Sequence, residues 1–224
     1  MIRAVIFDFD GLIVDSETPI LQAWSEIFSD HGCELPLDAW LAGIGQGTNS
    51  DVLDMLEVKV GHPIDRAAVD ARRRERQARL VEYQPILPGV EKSIAEARGI
   101  GFRLGVASSA SRRWVVENLE RLGLIHHIDA IRTRTDLDGE VQKPDPAVYL
   151  AALSALGVDA EEAIALEDSQ IGVQAAKAAG IFTVAVPNDL TRPTGVSGAD
   201  LTLDSLADMS IEWMVRVAEA RASV

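Results

Sequence analysis

Two hydrophobic periods divide this chain. Ile2 to Phe9 is a short apolar run, broken by Arg3 and Asp8, and it continues into Asp10-Gly11. A run of that length with turn chemistry behind it predicts a buried strand of a parallel sheet. The period then changes. Ile20, Leu21, Trp24, Ile27 and Phe28 fall at helical spacing, and His31-Gly32 can end that helix. Pro36 opens a short segment through Trp40 and Leu41. Gly43-Ile44-Gly45-Gln46-Gly47 reads as a flexible loop leading into a helix from Thr48 or Asn49, and Pro63 to Val81 is a further helix. Residues 16 to 84 therefore carry helical patterns alone. Beyond Pro88-Gly89 the periods alternate. Helices are predicted over 90–98, 114–122, 146–156, 171–179 and 211–220, and strands over 102–107, 128–131, 163–166, 181–186 and 201–203. Strands alternating with helices indicate an α/β fold, a parallel sheet covered on both faces. The organisation expected is a core of 1–15 and 85–224, interrupted by an all-α insert of 16–84.

Composition narrows the function. With 224 residues, 47% of them hydrophobic, the chain can bury a sizeable core. Its formal charge of −14 argues against a nucleic-acid partner, whose affinity rests on neutralised phosphates. A small anionic substrate stays open, because a metal or a lysine can dominate a site locally. Cys33 is the single cysteine, so no intrachain disulfide forms. No apolar run reaches the roughly 18 residues that span a membrane. The amino-terminal stretch reads as a strand and an acidic turn rather than a signal segment. We expect a cytoplasmic protein with no membrane partner, and take a monomer as the working expectation.

Polar clusters end three of the expected core strands: Asp8 and Asp10, Ser108 and Ser109, and Glu167 and Asp168. Lys143 stands in Gln142-Lys143-Pro144-Asp145-Pro146, a rigid loop leading into a helix. Carboxyl ends of parallel strands share one crevice, so these groups can converge. Two carboxylates buried together need a cation or a proton. Several carboxylates without His or Cys suit a hard cation, Mg²⁺ rather than zinc. A serine hydroxyl and backbone N–H groups at a strand-to-helix turn suit a phosphate, and a lysine adds a point charge. One carboxylate can attack phosphorus while a second, two residues on, exchanges protons with the leaving oxygen and with water.

Asp8-Phe9-Asp10-Gly11, Ser108 after a strand, Lys143-Pro144-Asp145-Pro146 and Glu167-Asp168-Ser169 stand in the order of the motifs of the haloacid dehalogenase superfamily. The chain resembles its phosphatases over essentially the whole length. Within them it is similar to the subfamily with a helical cap after the first motif, which includes β-phosphoglucomutase and sugar-phosphate phosphatases. The resemblance implies a Rossmann-like catalytic core and a cap that governs substrate specificity. It implies a Mg²⁺-dependent phosphatase acting on a small phosphorylated metabolite, with a sugar phosphate favoured, through an aspartyl phosphate. Asp8 would be the nucleophile and a metal ligand. Asp10 would be the general acid/base and a ligand through its backbone carbonyl. Asp168 would bind the metal directly, and Glu167 through water or through another ligand. Ser108, Ser109 and Lys143 would hold the phosphoryl group. Glu17 and Gln46 are candidate substrate contacts. Asp10 separates the chain from the metal-independent dehalogenases, which lack this second aspartate. The mutases carry a histidine and an arginine in the cap where this sequence has Ile20 and Gln46, so hydrolysis is favoured over mutase chemistry. A binding module that has lost turnover is the remaining alternative.

Simpler readings stand beside these. The run Arg72-Arg73-Arg74-Glu75-Arg76 is expected to be a solvated helix face, with a basic rim as the alternative. Ser111 and Asp145 are candidate helix caps. His126 and His127 are expected at a surface corner, Trp24 and Trp40 in packing, and Cys33 as a small buried residue.

Overall fold

In the computed structural model, which describes residues 1–42, 49–137 and 141–222, the chain divides into two compact units. One comprises Met1–Val14 and Pro85–Val224, the other Asp15–Gln84.

Among its described residues the Asp15–Gln84 unit contains helices only: α1 (Glu17–Asp30), α2 (Leu37–Ala42), α3 (Asn49–Val60) and α4 (Arg66–Glu82). Asp15 Oδ1 accepts the Thr18 N–H at 2.9 Å and so satisfies an amide at the start of α1. Asp65 does the same for α4 through the Ala68 N–H. Ala23, Trp24, Ile27 and Phe28 form the buried stripe of α1, and α4 packs beside that helix. Trp40 is also buried, so both tryptophans serve packing. The arginine run departs from expectation. Arg72, Arg74 and Arg79 are exposed, but Arg73 is only 6% exposed. Its guanidinium bonds Asp70 at 3.0 Å, reaches Gln77, and lies 5.6 Å from the centre of the Trp24 ring. Arg76 reaches Asp30 at 2.5 Å and ties α4 to α1. Helical period turns these two arginines inward, where carboxylates and an indole accept the charge. Cys33 is half-buried rather than buried, and its thiol faces the Phe28 carbonyl at 3.4 Å. The Gly43–Gly47 loop and Gln46 lie outside the described residues.

The other unit is the α/β body. Its six strands are β1 (Ala4–Phe7), β2 (Arg103–Ser108), β3 (Ala130–Thr133), β4 (Ala163–Glu167), β5 (Phe182–Ala185) and β6 (Leu201–Thr202), in the order β3-β2-β1-β4-β5-β6. Every pairing between these strands is parallel. Its helices are α5 (Val90–Gly99), α6 (Arg112–Arg121), α7 (Ala147–Leu156), α8 (Gln170–Ala178) and α9 (Ile211–Ala222). Alternation along each strand sorts the two faces. Val5, Phe7, Leu104, Val106, Ile164 and Leu166 share a cluster with side chains of α5, α6 and α9. Ala4, Ile6, Ala107, Ala163 and Ala165 share the other with α7 and α8. The second face is built from small residues, and at Gly105 an added Cβ would lie 3.0 Å from Leu156. That lets α7 sit close over β2 and β3. Phe7 pairs with Val106 on one side and Leu166 on the other, so Asp8, Ser108 and Glu167 emerge at one edge of the sheet. The strand order reverses between β1 and β4, the position where open α/β sheets form a crevice. His126 and His127 lie at an exposed corner, as expected. Among the described residues no helix is long and apolar enough to cross a membrane.

Arg73→Ala removes a buried, bonded guanidinium and is expected to cost about 2–3 kcal/mol, while Arg72→Ala on the exposed side of the same helix stays within about 0.5 kcal/mol. Urea unfolding of the two variants checks this. Equal losses would return Arg73 to the solvated face.

Candidate active site

Five loops supply side chains at the carboxyl edge of the sheet, those after β1, β2, β4 and β5 and the one that carries Lys143. Asp8 follows β1 directly and is 6% exposed; its N–H bonds the Leu166 carbonyl at 2.9 Å, which fixes its height beside β4. Lys143 is 5% exposed, and its Nζ donates to Asp8 Oδ1 at 2.5 Å, Glu167 Oε1 at 2.6 Å and the Ala107 carbonyl at 3.0 Å. An ammonium has three donors, and all three are used. Its backbone N–H also bonds Ser109 Oγ at 3.3 Å, which joins the lysine loop to the end of β2. Asp145 accepts the Ala147 N–H at 2.8 Å and so satisfies an amide at the start of α7, one residue ahead of the Pro146 cap position.

Glu167 is fully buried at the end of β4. Besides Lys143, its Oε1 accepts the Tyr149 hydroxyl from α7 at 2.5 Å, and Oε2 faces Ser169 Oγ at 3.4 Å. Gly172 of α8 makes room for this carboxylate: an added Cβ would lie 1.8 Å from Oε2. Asp168, also buried, accepts the Asn188 side-chain N–H at 2.9 Å. The same Asn188 nitrogen donates to the Gly11 carbonyl at 3.1 Å. Gly11 has φ +83°, and a Cβ there would lie 2.3 Å from Asp168 Oδ2, so glycine is required twice over.

Asp10 is held separately. Its Oδ1 accepts the Trp114 indole N–H at 2.9 Å, and its Oδ2 faces Ser108 Oγ at 3.4 Å. Ser108 Oγ in turn accepts the Ala110 N–H at 3.0 Å, and Ser111 caps α6 by accepting the Trp114 backbone N–H at 3.3 Å. The body unit thus brings together Asp8, Asp10, Ser108, Ser109, Lys143, Glu167 and Asp168. Glu17 lies in the first turn of α1, in the helical unit.

The electrostatics follow from one ammonium among several carboxylates. Burial pushes the Asp8 carboxyl up to about 8; Lys143 opposes this and the Glu167 charge reinforces it. Burial acts to lower the Lys143 pKa, but the charges of Asp8 and Glu167 prevail and hold the ammonium above its ordinary range. Burial, with the charges of Glu167 and Asp8, keeps the Tyr149 hydroxyl protonated and donating. Asp8, Glu167 and Asp168 each place an oxygen within 4.8 Å of the others, a buried donor set of carboxylates without His or Cys. Such a set fits a hard divalent cation.

A family model described as haloacid dehalogenase-like hydrolase matches residues 5–186. The chain belongs to that family. The putative phosphatase YhcW of Bacillus subtilis is 39% identical over 215 residues, covering 96% of this chain and 97% of its own. The plasmid protein CbbY of Cupriavidus necator is 34% identical over 226 residues, covering 92% and 86%. Among solved structures, CbbY from Rhodobacter sphaeroides in complex with xylulose-(1,5)bisphosphate superposes with a TM-score of 0.75 at 28% identity, covering 95% of this chain and 98% of that one.

Three site residues escaped the sequence reading: Trp114, Tyr149 and Asn188. The first two sit inside helical patterns that look like packing. Asn188 follows β5, and its place beyond a strand's carboxyl end was the available signal.

The Asp8 shift carries a pH consequence. A carboxyl raised in the folded state contributes stability that is full below its unfolded value of 3.8 and is lost as pH rises through about 8. In a chelator, the stability of the protein relative to Asp8→Asn should therefore decline between about pH 5 and pH 8. Urea unfolding across that range tests this, and parallel curves for the two proteins would contradict it.

Proposed function

We propose that this chain is a Mg²⁺-dependent phosphatase that hydrolyses a small phosphorylated metabolite, with sugar phosphates the favoured class, through an aspartyl phosphate on Asp8. One observation carries the reading. Asp8 is fixed by a buried ammonium beside Asp168, while Asp10, two residues on, is held by a separate set of donors. A fixed carboxylate suits attack, and one held apart from the ammonium suits proton exchange. The names of the relatives support the substrate class, since one is a putative phosphatase and one solved structure contains a sugar bisphosphate.

Asp8, Asp168 and the backbone carbonyl of Asp10 would hold the metal, with Glu167 acting through water, and a bound Mg²⁺ would offset charge on the phosphoryl oxygens. The remaining chemistry belongs to the chain. The Asp8 carboxylate attacks phosphorus, the bond from phosphorus to the leaving oxygen breaks, and Asp10 gives that oxygen its proton. Water then attacks phosphorus, Asp10 takes a proton from it, the bond from Asp8 to phosphorus breaks, and inorganic phosphate leaves. Ser108 Oγ and the Ser109 N–H hold the transferring group, and Lys143 neutralises it while steadying Asp8. Residues 16–84 act as a specificity cap and residues 1–15 and 85–224 as the catalytic core, with Glu17 and Gln46 as substrate contacts. Neither Ile20 nor Gln46 offers the charge that would retain a bisphosphate, so water is the favoured acceptor.

With Mg²⁺ the purified protein should turn over p-nitrophenyl phosphate. A chelator should abolish turnover, and Asp8→Asn should lower it by at least about 10³-fold. Undiminished activity in that variant would overturn the nucleophile assignment. Conversion of β-glucose 1-phosphate to its 6-phosphate isomer, rather than release of phosphate, would place the chain among the mutases.

A further inference from the structure

We infer that Trp114 is a positioning residue for Asp10, and that its indole N–H decides which Asp10 oxygen carries the transferable proton. The inference rests on the reading of Asp10 as the general acid/base. Trp114 stands in the first turn of α6, where Ser111 fixes the turn by accepting its backbone N–H at 3.3 Å. Its half-buried ring packs against the cluster that contains Val106 and Leu119. One edge of the indole is therefore set by the core, and Nε1 reaches Asp10 Oδ1 at 2.9 Å. An indole nitrogen donates and cannot accept. While that bond stands, Oδ1 is an acceptor and cannot bear the proton toward Trp114. The Ser108 hydroxyl donates to Oδ2 at 3.4 Å, but unlike an indole it can rotate its hydrogen away and accept, so in the acid form the proton sits on Oδ2. Ser108 is the residue assigned to the phosphoryl group, so this arrangement aims the proton toward the bond that breaks. The Ser108 contact is long, and the indole bond at 2.9 Å is the firmer of these two contacts.

A misplaced acid hurts a poor leaving group more than a good one, because only the poor one needs its proton in the transition state. Values of kcat/KM, which report the steps through loss of the leaving group, are compared for phenyl phosphate and p-nitrophenyl phosphate. Trp114→Phe keeps the ring and removes the donor. It should lower kcat/KM for phenyl phosphate about tenfold more than for p-nitrophenyl phosphate. Trp114→His, which restores a ring N–H, should recover part of that selectivity and also serves if the Phe variant folds poorly. Asp10→Asn should show the same selectivity more strongly. If Asp10→Asn discriminates but both Trp114 variants lose the two substrates equally, Trp114 is structural and the inference fails. If Asp10→Asn does not discriminate, the reading of Asp10 as the acid fails first.

Discussion

Lys143 reaches from the loop before α7 into the carboxyl edge of the sheet, and its ammonium donates to oxygens of Asp8, Glu167 and Ala107. Each contact ties a different strand, because Asp8 follows β1, Ala107 belongs to β2 and Glu167 ends β4. A charge this deep survives only when all its donors are bonded and an opposite charge is near. The dependence is mutual. Without the ammonium, burial beside Glu167 would hold Asp8 in its protonated form still more firmly, and the site would lose the carboxylate that its opposite charge sustains. Tyr149 adds a hydroxyl to Glu167, and its ring lies 5.0 Å from the lysine nitrogen. The packing of α7 against the small-residue face of the sheet therefore also places a donor and an aromatic face beside the charge.

Around that centre, neighbouring carboxylates acquire different chemistry from different surroundings. Asp8 is enclosed and shares its ammonium with Glu167. Asp10 lies half-buried and takes an indole N–H and a serine hydroxyl. Asp168 is aimed by Asn188, which also clasps the Gly11 carbonyl and so joins the loop after β5 to the turn after β1. The requirement for glycine at residue 11 follows from the same crowding, since a side chain there would displace Asp168. Pairs of acids whose environments differ in this way can divide nucleophilic and acid–base work.

Much of this was legible in the chain. Short apolar runs ending in Asp8, Ser108 and Glu167 predicted both the strands and their convergence, because parallel strands deliver their carboxyl ends to one edge. The helical period over 16–84 foretold a unit that, among its described residues, contains helices and no strand. Contacts between side chains distant in sequence were less legible. Period places Trp114 and Tyr149 on inward faces, yet it does not say that one meets Asp10 and the other Glu167. The same limit explains Arg73, whose charged run reads as a solvent face although one helical turn points it at Trp24. Polar atoms of large side chains declare their partners only once the elements are packed.

If Asp8, held by Lys143, is the nucleophile, it becomes covalently phosphorylated during turnover. Acid quenching in the first turnover with p-nitrophenyl phosphate and Mg²⁺, then digestion and mass spectrometry, tests it directly. One added phosphoryl group is expected on the peptide bearing Asp8, labile to base and absent from Asp8→Asn. Phosphate release with that peptide unmodified throughout, or a label on any other residue, would contradict it.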